Sequence, residues 1–390
     1  MVATIIGGGM FALPVAFAHV WFLQGMLVLS LVGILMLITG LILVDINMRF
    51  PHGASFHTFT KALMGPAVSV FIGFALCFVL YLLTYAYISG AASIFRGVFH
   101  AQSGKTDWII IPALTLTTAI ILLVGGRLPG YILSILIAAK FTIFLALFSG
   151  ITSRVNPEML ELWTTGNSLQ QYMLIIPVCV IAFGFHGSVP SLTRMYSQEN
   201  HRAITRSLIF GVVISLLIYA FWLTITLGSM NQETIMDVNA KGGNIGAFIE
   251  AMNLNKAGSG ISLVLVYFGV FAILASLMSA SIGLCDYLDD TLKNRYGKAS
   301  RPLAIALTYF PPAVVCMLEP EGFLPALAFA GLSLVIWSIL LPPALLLRAR
   351  KSSLKPVYTF PGNNLLLKAI MGIGVVVWLM MIYFLVKGEG

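Results

Sequence analysis

Ile6-Gly7-Gly8-Gly9-Met10-Phe11-Ala12-Leu13-Pro14 and Ala182-Phe183-Gly184-Phe185-His186-Gly187-Ser188-Val189-Pro190 are the two stretches on which the fold turns. Each lies inside an apolar run long enough to cross a bilayer, at 2–21 and 172–195, and each mixes glycine with a following proline. Glycine lets the backbone leave the helical well, and proline removes an amide donor while suiting the first turn of a new helix. Each run is therefore predicted to break into two half-helices at membrane depth. Unpaired backbone groups are tolerated there only where they face protein or a water-filled cavity, so the two breaks predict a polar site near the midplane. Close packing through small residues accounts for one glycine-rich run, but not for two at matched positions, each with its own proline.

The rest of the chain sets the frame. Of 390 residues, 59% are hydrophobic and 9% charged, against the roughly 25% charged residues of a soluble domain, which excludes a soluble protein. Stretches long enough to span fall at 2–21, 22–47, 66–99, 108–126, 129–150, 172–195, 207–230, 260–292, 302–318, 322–347 and 368–387, eleven transmembrane helices in all. The connections are short and polar, so the chain reads as one transporter domain, 1–390. The breaks fall in spans 1 and 6, the pattern of two five-span repeats inserted in opposite orientation, about 1–150 and 172–347, with an extra span at 368–387. The expected fold class is an all-α membrane protein of the LeuT type, a 5+5 inverted repeat. In the longest connection, 231–258, Ile245-Gly246-Ala247-Phe248-Ile249-Glu250 reads as a small surface helix.

The net charge is +8. The basic residues are scattered through short connections, which argues against a nucleic-acid partner and makes them topology signals. With the first residues in the cytoplasm, fifteen fall on the cytoplasmic side: Arg49, Lys61, Arg127, Arg194, Arg202, Arg206, Lys293, Arg295, Lys298, Arg301, Arg348, Arg350, Lys351, Lys355 and Lys368. Six (Arg96, Lys105, Arg154, Lys241, Lys256 and Lys387) fall on the other. The expected orientation is a cytoplasmic N-terminus and an external C-terminus. Cys77, Cys179, Cys285 and Cys316 lie apart in apolar stretches, with no metal or redox spacing.

At a broken helix, amides at the new N-terminus face a carboxylate, and carbonyls at the old C-terminus face an ammonium. A ligand carrying both groups is an α-amino acid. Gly7, Gly8 and Gly9 would supply amides; the carbonyls around Ile5, Phe183 and Phe185 would take the ammonium. Tyr81 and Thr84, three apart on span 3, share a helix face and would close the pocket, although a packing role suits Tyr81 equally. Phe183 and Phe185 flank a break and are placed to stack on an aromatic ring. His186, beside Gly187, would relay a proton or bond a substrate hydroxyl, or else cap exposed carbonyls. Asp45 and Asp286, near span ends, are ion-pair candidates for Arg49 or Arg194, or simply solvated.

The first-span Gly-x-Gly-Met-x-Ala-x-Pro pattern, Tyr81-x-x-Thr84-x-x-Tyr87-Ile88-Ser89-Gly90, Ala139-Lys140, Phe183-Gly184-Phe185-His186-Gly187-Ser188-Val189-Pro190-Ser191 and Gly283-Leu284-x-Asp286-Tyr287-Leu288 together resemble the bacterial aromatic amino acid permeases. The resemblance runs along essentially the whole chain and is closest in the tyrosine-specific branch. It implies proton-coupled uptake of an aromatic amino acid across the inner membrane, with an amino acid, protons and membrane lipid as partners, no cofactor, no metal and no obligate protein partner. Members of that family begin with a full first half-helix, whereas only six residues precede the glycines here. These cover about 9 Å of a core roughly 30 Å thick, so the inner half of span 1 is expected to be incomplete.

Lys140 lies near the middle of span 5, about 16 Å from its inner end. An ammonium at that depth costs at least about 2.5–3.5 kcal/mol, so it should face the bundle interior and find oxygen partners. LeuT-type sodium symporters hold a cation between spans 1, 5 and 8, and resemblance to proton-coupled relatives implies that this ammonium replaces the sodium. Carbonyls near Ala3 and Ile6 and the hydroxyls of Ser276 and Ser279 are its expected partners; the alternative is a charge that only pins the three spans together. No nucleophile, base or metal constellation suggests an enzyme, and two isolated breaks do not make the continuous polar lining of a channel. The rival reading is a symporter of the same fold for tryptophan or a small hydroxy amino acid.

Overall fold

The computed structural model describes residues 1–51, 54–100, 104, 106–151, 155–161, 168–196, 200–254, 259–296, 300–355 and 357–387. Lys105, Arg154, Lys256 and Lys298, counted above for orientation, lie outside them. All regular elements among the described residues are helical. Ten are long and apolar enough to cross a membrane, and they take the places of predicted spans 2 to 11: Trp21–Asn47, Pro66–Val98, Asp107–Val124, Leu128–Leu147, Leu169–Met195, His201–Ser229, Leu263–Lys293, Arg301–Leu318, Phe323–Ala349 and Asn364–Phe384. Span 1 consists of two short pieces, Val2–Ile5 and Gly9–Ala16, on either side of the break. Leu27, Leu31, Phe74, Ile109 and Leu123 point outward and are exposed, an apolar belt that only lipid would cover.

Local sequence explains the interruptions. Gly65, at φ 91°, ends the short helix Phe56–Met64, and Pro66 opens span 3 at its first turn. Span 10 carries a π-turn at Ile336–Leu340 directly before Pro342 and Pro343, whose missing amides cannot sustain the ordinary ladder. Span 6 contains Pro177, and Gly331 of span 10 lies against its carbonyl; any side chain at 331 would overlap that backbone.

The connections gather on two faces. One carries a hairpin of two helices, Gln232–Ala240 and Ile245–Leu254, turned through Gly242 and Gly243 at positive φ. Its second helix is not the surface helix that the sequence suggested. Ile245, Phe248 and Ile249 are buried, because the helix drives them between the spans. The opposite face carries Phe56–Met64 and a strap formed by the connection between spans 10 and 11. Asp45 accepts the Phe360 amide at 2.8 Å and Arg49 donates to the Leu354 carbonyl at 3.1 Å, so the strap is tied to the end of span 2.

Candidate functional site

The first break presents backbone groups, and the surrounding spans take most of them. The Lys140 ammonium donates to the Ile6 carbonyl at 2.6 Å. The Gly8 amide donates to Ser276 Oγ at 2.9 Å, and that hydroxyl in turn donates to the Ala272 carbonyl of its own helix. The Tyr219 hydroxyl, from span 7, lies 2.8 Å from the carbonyls of both Ile5 and Ala182, so one proton serves both breaks. Trp222, one turn further along, donates its indole N–H to the Met10 carbonyl at 3.0 Å.

Several expected roles change. The Ile5 carbonyl faces Tyr219 rather than standing open for an ammonium. Ser276 holds the Gly8 amide instead of Lys140, and Ser279 is exposed about 4.5 Å further along span 8. Tyr81 donates to the Leu307 carbonyl of span 9 at 2.9 Å, and buried Thr84 bonds back to Leu80 of its own helix. The span 3 tyrosine that meets the break is Tyr87. A Cβ on Gly8 would stand 2.6 Å from Tyr87 Cε1 and 2.8 Å from Ile273 Cδ1, and one on Gly7 would stand 3.1 Å from Ser276 Oγ. Six residues rotate a helix by about 240°, so Tyr81 and Tyr87 point to different neighbours.

The second break runs from Phe183 through a single 3₁₀ turn, His186–Ser188, before the helix restarts at Val189. The Phe183 carbonyl accepts the Phe185 amide and the Phe185 carbonyl accepts the Ser188 amide, so neither is open. Both rings are buried and turn toward span 2. Phe183 fills the space beside Gly33 and Phe185 that beside Gly40, where a Cβ would come within 3.0 Å and 2.6 Å of the rings. Stacking on a substrate ring is thus not the arrangement seen. His186 Nε2 lies 2.9 Å from Thr39 Oγ1. That hydroxyl donates to the carbonyls of Leu35 or Met36, so it accepts Nε2–H, and His186 Nδ1 is left as a buried acceptor with no partner. Gly187 is exposed, with the Trp337 ring 3.7 Å from where a Cβ would stand. At the strap face Asp45 pairs with buried Arg49 at 2.7 Å, whereas Asp286 pairs with exposed Arg301.

The hairpin face is closed over the first break by an aromatic cluster. Phe11, Trp222, Phe248 and Phe268 pack edge-on and tilted, with neighbouring centroids 5.3 to 6.4 Å apart. Beside it, a cavity of about 430 Å³ opens between the ends of spans 1, 6 and 10 and the hairpin, with His19, Gln171 and Asn239 above Ile175, Val178 and Phe329. Val178 stands five residues before Phe183, about 7.5 Å along the helix. Among the described residues no three His, Cys, Asp or Glu side chains gather as a metal site.

Two interrupted helices that lie side by side, their breaks bridged by Tyr219 of span 7, make a fold of the LeuT type. The same fold is found in Mhp1, a nucleobase-cation-symport-1 family transporter solved in a closed conformation with bromovinylhydantoin bound, at a TM-score of 0.62 and 12% identity, covering 98% of this chain and 90% of that one. The chain belongs to the tryptophan/tyrosine permease family, whose model matches residues 1–381. A tyrosine permease of Enterobacter agglomerans is 40% identical over 97% of this chain and 93% of its own length. The low affinity tryptophan permease of Escherichia coli strain K12 is 33% identical over 96% and 91%. The chain is accordingly a multi-pass membrane permease for aromatic amino acids and not an enzyme.

Proposed function

We propose that the permease imports tyrosine in symport with protons across a bacterial inner membrane, with the strap face in the cytoplasm and the hairpin face outside. The observation that carries the coupling is the Lys140 ammonium on the Ile6 carbonyl, a cation supplied by the protein where spans 1 and 5 meet. Buried Lys140 has its proton held by a carbonyl that belongs to the break itself, so rearrangement of the break changes how well the proton is held. The amides of Gly7 and Gly9 take the substrate carboxylate, with Tyr87 closing the pocket from span 3. His186 Nδ1 offers an acceptor suited to a phenolic O–H. The excess of basic residues on the strap face supports the orientation, and matched breaks in spans 1 and 6 support two inverted five-span repeats. The greater identity to a tyrosine permease favours tyrosine over tryptophan.

Uptake of labelled tyrosine by cells expressing the chain tests both parts. Competition by unlabelled tyrosine stronger than that by tryptophan, phenylalanine or serine is expected, with accumulation abolished by a protonophore and unaffected by sodium removal. Stronger competition by tryptophan would reassign the substrate. Accumulation that survives the protonophore and collapses without sodium would reject proton coupling.

A further inference from the structure

On the hairpin face one arginine serves two carboxylates. Arg96, near the end of span 3, donates to Asp107 at 2.5 Å through Nη1 and to Glu321 at 2.6 Å through Nη2. Asp107, at the start of span 4, is buried and also accepts the Gly104 amide at 2.8 Å. Glu321 sits in the turn between spans 9 and 10 and is 39% exposed. Its second oxygen accepts from the side-chain amide of Asn244, in the turn of the hairpin. Asn244 lies 3.4 Å from Ser89 Oγ, and Ser89 donates to the Pro320 carbonyl at 2.7 Å. The other groups around the turn are Glu319, whose carbonyl accepts Tyr85 O–H, buried Cys316, and Lys241, exposed on the hairpin with its carbonyl toward Asn244.

With both carboxylates ionised, this cluster carries one negative charge in excess, partly shielded from water. Asp107 is fixed by the arginine and a backbone amide, so Glu321, the more exposed of the two, is the group a proton reaches. From these contacts we infer that Glu321 is a proton-binding site on the hairpin face, occupied as the hairpin closes over the aromatic cluster and vacated as it opens. Asn244 suits both states, since an amide donates to an ionised carboxylate and, turned over, accepts from a protonated one. Burial raises the proton affinity of Glu321, Asp107 and Glu319 add to this, and Arg96 opposes it, with a net rise above the ordinary carboxylate range. A hairpin swung away would return Glu321 to water and lower its proton affinity, with Arg96 and Asp107, which belong to the spans, still beside it. The closed form therefore binds the proton more tightly: closure is favoured in acid and loses that support as pH rises through the closed-state value. The hairpin carries Phe248 onto Phe11 of span 1 and Trp222 of span 7, so a proton at Glu321 biases the spans that form the breaks.

The site rests on the proposed orientation and is distinct from Lys140. Its test uses Ala251→Cys, a buried hairpin position, in a chain whose native cysteines are replaced, probed from outside with a membrane-impermeant thiol reagent. The rate is expressed relative to exposed Glu250→Cys, so that the titration of the thiol cancels. Protection is expected to grow as the medium is acidified. Glu321→Gln should stay protected at every pH, and Asp107→Asn should move the midpoint about one unit lower, a tenfold loss of proton affinity. An unchanged pH slope in Glu321→Gln, or a midpoint moved upward by Asp107→Asn, would overturn the inference. Tyrosine uptake by the parent chain, measured in parallel, reports separately on the transport reading.

Discussion

Tyr219 places a single hydroxyl between two helix interruptions, and its removal separates hydrogen bonding from shape. Tyr219→Phe keeps the ring on Phe183 while leaving the Ile5 and Ala182 carbonyls unmatched, at a cost of about 1–3 kcal/mol. A lowered melting temperature in detergent is the expected result, with little change in fold by circular dichroism. For Lys140→Ala the proposed coupling role predicts a folded protein that exchanges tyrosine across the membrane but no longer concentrates it. Equal accumulation by parent and variant would remove Lys140 from the coupling. The sequence exposed Lys140 and the three glycines because their chemistry is anomalous at that depth. It did not single out Tyr219 or Trp222, and it gave Tyr87 no role beyond its place in a motif, since aromatics make up 12% of the chain and spacing alone does not say which one faces the break.

At the scale of elements, the direction of the rings in span 6 was legible only from its partner. Gly33 and Gly40 are seven residues apart in span 2, two turns on one face, and they accommodate Phe183 and Phe185. The docking of the hairpin was missed for a related reason: the helix expected at Ile245–Glu250 is present, and its apolar positions dock it, but only their burial shows the direction. The strap was invisible in the sequence, because its hydrogen bonds to Asp45, Arg49 and Arg350 use backbone groups, the Phe360 amide donating to Asp45 and the Leu354, Phe360 and Gly362 carbonyls accepting from the two arginines. Asp45→Ala removes one member of a buried pair and strands Arg49, a loss of about 3–5 kcal/mol. Trypsin applied to the strap face is then expected to cut after Lys351, which Ser352 follows, faster than in the parent, and an equal rate of cleavage would show that the strap is held elsewhere.

Over the whole molecule, bonds and filled notches link spans 1, 2, 6 and 7: Tyr219 and Trp222 to span 1, Tyr219 to span 6, and Phe183, Phe185 and His186 to span 2. At the first break this group meets its surroundings through Lys140, Ser276 and Tyr87. Gly8→Ala sets a methyl group against Tyr87 and Ile273 at that junction, and tyrosine uptake is expected to fall at least about tenfold while membrane expression is kept. Normal uptake would mean that the junction is looser than drawn. The Tyr219 hydroxyl has a further consequence. Because it bonds one carbonyl beside each gap, the interruptions are held by the fold itself. They need not be opened by each arriving molecule, and every turnover begins with the backbone already parted.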